Sequence, residues 1–128
     1  MQDRPTYDEL LAAVERFLDE EIVQNTQGSR GFHARVAANV LRIVRRELSN
    51  EDQQLAREWA GLDDLLGAQE RPNARAALRE ALASRNAELC ERIRNDDSAL
   101  DQSNVVAHVR RTVRDKLLVS NPAWVGNA

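Results

Sequence analysis

The side chains that could do chemistry in this sequence are few and widely spaced. Ser29 and His33 stand one helical turn apart, behind the loop Gly28-Ser29-Arg30-Gly31. A serine beside a histidine suggests nucleophilic catalysis, yet nothing in the sequence identifies a third group to orient His33 or an oxyanion hole. The same loop leads into a helix, whose free N–H groups and positive dipole end suit an anion. On that reading Gly28, Ser29, Arg30, Gly31 and His33 form an anionic-ligand site, with Arg30 adding a charge-assisted bond. The plainer reading has Gly28 closing one helix and Ser29 capping the next, and the ubiquity of caps favours it. Without a Gly-Lys-Ser/Thr run or a preceding strand, the loop is neither a Walker loop nor a dinucleotide-binding loop.

His33 projects between two apolar stripes, so it is expected to be buried, neutral and hydrogen-bonded inside a helical bundle. His108 falls opposite a valine stripe, near Asp115, and is expected to face solvent. The residues three before each histidine are Arg30 and Val105, so the Glu-x-x-His pattern of di-metal bundles is missing. One cysteine and two separated histidines supply no zinc cluster. No metal site and no cofactor is therefore expected. Cys90 lies beside the small Ala83 and Ala87 and reads as a packed thiol. Asp19, Glu20 and Glu21 read as a solvated acidic face.

A second polar pattern is the line Arg35, Asn39, Arg42 and Arg46, which projects from one side of a helix. Arginine suits bidentate contacts, so this line could receive phosphates or an acidic protein partner. Pairing with the acidic face of the first helix is the plainer alternative, and charge stripes of this kind are usually such faces.

The elements that must position these groups are helical throughout. Thr6 and Glu9 form a capping box, after which Leu10, Leu11, Val14, Phe17, Leu18 and Ile22 recur at helical spacing. Residues Phe32 to Leu48 carry two adjacent stripes: Phe32, Val36, Val40 and Ile43, then Ala37, Leu41, Val44 and Leu48. Together they cover roughly half the circumference, which predicts a central helix packed on two sides. Ser49-Asn50 offers the next cap, and Leu55, Trp59, Leu62 and Leu66 follow on one stripe that Gly67 ends. A fourth stripe comprises Leu78, Leu82, Leu89 and Ile93, with alanines around it that leave room for a neighbouring helix or a second subunit. Leu100 is expected to anchor the next connection. The last helix is expected to bury Val105, Val106, Val109, Val113 and Leu117 and to stop at Asn121-Pro122, with Trp124 folding back as a plug. The pattern predicts an all-α, single-domain bundle over residues 1–128 with about five mostly antiparallel helices, near 6–24, 30–48, 51–66, 73–95 and 103–120.

At 128 residues the chain has the size of one domain, and its 42% hydrophobic and 30% charged residues are ordinary for a globular protein. A net charge of -3 argues against nucleic acid or an anionic membrane as partner. The single cysteine cannot form an internal disulfide, and the opening Met1-Gln2-Asp3-Arg4-Pro5 lacks the apolar core of a signal peptide. No stretch reaches the ~18 apolar residues of a membrane span. These features point to the cytoplasm.

Three stretches carry a resemblance to a known family. They are Gly31-Phe32-His33-Ala34-Arg35-Val36-Ala37-Ala38-Asn39 running into Arg45-Arg46-Glu47-Leu48, then Leu89-Cys90-Glu91-Arg92-Ile93-Arg94, and Val113-Arg114-Asp115-Lys116-Leu117 leading to Asn121-Pro122. In them the chain resembles a bacterial family of small all-helical domains of unknown function, typically encoded next to acyl-CoA dehydrogenases and aminoglycoside-phosphotransferase-like kinases. The resemblance implies a partner or accessory protein near acyl-CoA and phosphotransferase chemistry. Joined to the arginine line, it gives a non-catalytic accessory protein that binds a kinase-like phosphotransferase or an acyl-CoA-metabolising enzyme through Arg35, Asn39, Arg42 and Arg46. The alternative is a protein that binds an anionic small molecule, or a minor enzyme, with its site at the start of the central helix.

Overall fold

The computed structural model describes residues 3 to 126; Met1 and Gln2, part of the stretch read above as lacking a leader's apolar core, lie outside them. The described chain is helical, with α1 (Tyr7–Phe17), a π-helical turn (Leu18–Val23), α2 (Gly28–Leu66), α3 (Arg75–Arg94), α4 (Gln102–Ser120) and a 3-10 turn (Pro122–Trp124). The all-α expectation is met, but with four α-helices among the described residues instead of five. The break expected at Ser49-Asn50 is absent. Ser49 Oγ donates to the carbonyl of Arg45 at 2.8 Å, so the hydroxyl bonds back along its own helix instead of capping a new one. The stretches read as 30–48 and 51–66 are thus one helix of 39 residues.

The chain divides into two compact units, one ending at Ser49 and one beginning at Asn50. The first is a helical hairpin. Its α1 starts on the expected capping box, in which Thr6 Oγ1 accepts from Glu9 N at 3.3 Å and Thr6 N donates to Glu9 Oε2 at 2.7 Å. Gly28 has the expected left-handed conformation, φ +70°, but it opens α2 instead of closing the helix before it, which has already ended ahead of Thr26. Asp8 pairs with Arg45, while Asp19 pairs with Arg42. Numbers that rise through α1 and the π-helical turn as they fall in α2 mark an antiparallel pair. The inward face of α2 consists of Gly31, Ala34, Ala38, Arg42 and Arg45, small residues that let the helices approach and arginines that reach across. The expectation that Phe32 to Leu48 is enclosed on two sides is overturned, because Phe32 is 59% and Val40 50% exposed.

The second unit holds the apolar core. Trp59 and Leu62 from α2, Leu78, Leu82 and Leu89 from α3, the connecting Leu100, and Val105 from α4 form its buried cluster. The expected roles of Leu78, Leu82, Leu89 and Leu100 are met, but Ile93 is exposed. Gly67 ends α2 at φ +97°, as its position implied. Arg75 pairs with Glu51 and Asp52, and Arg85 with Asp63, so α3 runs parallel to the second half of α2. The connection of 67–74 makes this feasible. Extended at about 3.3 Å per residue, it can retrace the roughly 20 Å of helix between Asp52 and Leu66. By contrast α4 is antiparallel to α2, since Gln54 bonds the carbonyl of Asp115 while Gly61 lies against His108. Asp101 caps α4, accepting from Ser103 N at 2.8 Å and Asn104 N at 3.3 Å.

The last helix is rotated from its expected phase. Val105 is buried, but Val106, Val109 and Val113 are exposed, and His108 and Asp115 point inward in their place. Trp124 is 68% exposed, not a plug.

Candidate interaction surfaces

At the start of α2, Gly28, Ser29, Arg30 and His33 are all exposed. His33 is not the buried bundle histidine expected; its ring meets Phe32 edge-on at 5.6 Å between centroids. Gly31 is enclosed because the chain returns tightly over it. A Cβ there would strike the carbonyl oxygen of Thr26 and stand 3.2 Å from its carbon. The glycine at this position thus serves the turn between the helices.

The arginine line is split by the hairpin. Arg42 Nε donates to Glu15 Oε1 at 2.9 Å, and its guanidinium also pairs with Asp19. The neighbouring Arg45, which the sequence pattern left out of the line, donates to Asp8 at 2.8 Å and to Glu15 Oε2 at 2.7 Å. The hydrogen bond from Arg45 holds the Asp8 carboxyl below its ordinary value, with their charge attraction adding to it. Arg35 and Asn39 are exposed, and Arg46 is partly covered.

In the second unit a different set of polar groups comes together. Arg85 is 4% exposed, lies 4.6 Å from the centre of the Trp59 ring, pairs with Asp63 at 2.6 Å and donates to the carbonyl of Gly67 at 2.7 Å. It ties the end of α2 to the middle of α3. His108, expected in solvent, is 3% exposed and leans on Gly61. Its Nδ1 has no hydrogen-bond partner among the described residues. Burial pushes its pKa below the ordinary value and the charge of Arg111 pushes the same way, against a smaller opposite pull from Glu58. The imidazole is therefore neutral at neutral pH. Pattern reading missed Arg85 and misplaced His108. Gly61 was the available signal, since an interior glycine in a helix often admits a close neighbour.

Beside His108, the seam between α3 and α4 opens into a groove of about 190 Å³, lined by Leu89, Cys90, Ile93, Val109 and Val113 with Asn86, Thr112 and Lys116. Cys90, expected to be packed, is exposed here. The groove exists because α4 turns His108 and Asp115 inward, which leaves Val109 and Val113 beside α3 without cover. Asn86 is fixed at its base by a 2.8 Å bond to Glu58. Lys116 of α4 lines the groove and is exposed. Among the described residues no three His, Cys, Asp or Glu side chains gather as a metal site, and no helix is long and apolar enough to cross a membrane.

Residues 24–124 match a family model described as a domain of unknown function, DUF6285. No curated protein and no solved structure matches the sequence.

Proposed function

The chain belongs to the DUF6285 family, and from that premise we propose that it is a non-catalytic accessory protein that docks an acidic, amphipathic helix of a partner enzyme in the α3–α4 groove. The observation that carries this reading is the groove itself. Leu89, Ile93, Val109 and Val113 offer an apolar floor of the kind that receives residues at i, i+3, i+4 and i+7 of a helix. Lys116, which lines it, complements a carboxylate on the rim of such a helix. Kinase-like phosphotransferases and acyl-CoA-metabolising enzymes are the partners that the sequence resemblance implies. The groove is favoured over the Arg35 to Arg46 line because Arg42 is already engaged by Glu15 and Asp19 within the hairpin.

Co-expression of the chain with a kinase-like phosphotransferase and with an acyl-CoA dehydrogenase from the same genome tests the proposal. Co-purification with one of them is expected, with loss in Val109→Glu/Val113→Glu and retention in Arg42→Glu. Binding that survives the groove substitutions but fails with Arg42→Glu would move the site to the hairpin. Failure of both enzymes to co-purify would remove them as partners.

A further inference from the structure

The net charge of -3 conceals an uneven distribution. Residues 102–126 carry four of the chain's 18 cations and one of its 21 acids. That acid, Asp115, is buried and paired with Arg57 of α2 at 3.3 Å, so its charge is already answered on the inside of α4. Arg110, Arg111, Arg114 and Lys116 are all exposed, and no ion pair or side-chain hydrogen bond engages them among the described residues. An acid-rich chain thus holds a helix face of positive sign in solvent without pairing it.

The arginines do not stand alone. Val106, Arg110, Arg114 and Leu118 follow one another in steps of four, so they form one row along the helix, and all four are exposed. Arg111 lies beside this row. Directly beyond the helix, the 3-10 turn presents Trp124, 68% exposed. Arginine stems can lie along neighbouring apolar side chains while their guanidinium groups stay in a polar layer. A row of arginines between apolar residues, ending at an exposed indole, is the composition of a helix that rests in the headgroup layer of a membrane, where the apolar body and the polar N–H of tryptophan both find a place. An acidic protein face would answer the arginines alone; Val106, Leu118 and Trp124 call for hydrocarbon as well.

We propose that the outer face of α4, with Trp124, seats this protein on an anionic lipid surface, Arg110, Arg111 and Arg114 meeting phosphate headgroups while the indole enters the interface. The attachment lies along the membrane and does not span it. Each cation held near an anionic membrane strengthens binding roughly fivefold, and the arginine fork takes phosphate oxygens two at a time. Three arginines and one indole give binding that is weak, reversible and sensitive to salt. The groove lies round the helix on the side of Val109 and Val113, so the proposal does not rest on the docking of a partner helix there.

Co-sedimentation of the full chain with vesicles at about 50 mM salt tests it. Binding is expected to vesicles made of equal parts phosphatidylglycerol and phosphatidylcholine, and none to phosphatidylcholine alone. Arg110→Gln/Arg114→Gln alters two exposed side chains without partners, so its circular dichroism is expected to match the wild type while its binding falls roughly 25-fold, two factors of five. Arg30→Gln/Arg35→Gln makes the same change of net charge in the other unit, at side chains that are also exposed, and is expected to bind as the wild type does. Trp124 emission is expected to move to shorter wavelength on the vesicles, and Trp124→Phe to abolish that shift, since Trp59 is already buried. No binding of the wild type to the anionic vesicles would overturn the proposal, and so would an equal loss in the Arg30/Arg35 variant. Retention on immobilised poly-glutamate without binding to the vesicles would overturn it too, and give the face to an acidic protein.

Discussion

Replacing Arg85 with methionine keeps the aliphatic stem packed between α2 and α3 while deleting the guanidinium. Three contacts go at once: the 2.6 Å pair with Asp63, the 2.7 Å bond to the Gly67 carbonyl and the stack on Trp59 at 4.6 Å. Breaking a buried ion pair by removing one partner costs roughly 3–5 kcal/mol. Two observations place this case at the lower end. Asp63 keeps a hydrogen bond from Gln69 N at 3.2 Å, and Arg85 Nε has no partner among the described residues, so part of its desolvation was never returned. The expected loss is about 3 kcal/mol for the second unit. In urea, at an m-value near 1.5 kcal/mol/M, that is a midpoint lowered by about 2 M, read by far-UV circular dichroism or by Trp59 fluorescence. Arg85→Lys retains the charge but not the fork or the flat stack, and falls between. Arg35→Ala, on the exposed side of the hairpin, should change little. A loss below about 1 kcal/mol in Arg85→Met would refute the view that this buried guanidinium holds the end of α2 to α3.

Gly61→Ala should destabilise the protein although alanine is favoured in a helix interior by about 1 kcal/mol. The new Cβ would collide with His108 Nδ1 and stand 2.9 Å from Cε1 and 3.1 Å from an Arg111 nitrogen, and overpacking of this kind costs about 1–3 kcal/mol; thermal denaturation of the two proteins decides it. Because the folded state lowers the pKa of His108, an unfolded chain binds the proton more readily. The stability it contributes is therefore complete above the unfolded value near 6.5 and declines as pH falls from there towards the lowered folded value. Urea midpoints between pH 7 and 5 should fall less steeply in His108→Asn than in the wild type; equal slopes would mean that His108 is not the group responsible.

Much of the architecture is legible in the residues. The capping box at Thr6 and Glu9, the stop at Gly67, the buried Leu78, Leu82 and Leu89, and the stop at Asn121-Pro122 all follow from local rules that the structure obeys. The failures share a physical origin. An apolar stripe on a helical wheel says that something covers it, but not whether the cover is the same chain. Phe32, Val36 and Val40 look like core by spacing and are exposed. The histidines were exchanged for a related reason. His33 rode with the stripe into solvent, while the glycine at 61 admitted His108 into a place that the valines of α4 were expected to fill. Ser49 was misread because the same hydroxyl can cap a new helix or bond back along its own. The groove was invisible because it depends on the rotation of α4, which buries His108 and Asp115 and leaves Val109 and Val113 uncovered.

If the α3–α4 groove is the place where a partner sits, Cys90 reports on it directly. It is the sequence's single cysteine, it is exposed, and it lines the groove. The decisive measurement is the rate at which a soluble disulfide reagent modifies this chain, followed by mass, alone and in complex with the co-purified enzyme. Complex formation is expected to slow the reaction at Cys90 at least about tenfold, the factor that a 1.4 kcal/mol cost of exposing the thiol would give. Modification at the same rate in the complex as in the free chain would contradict it.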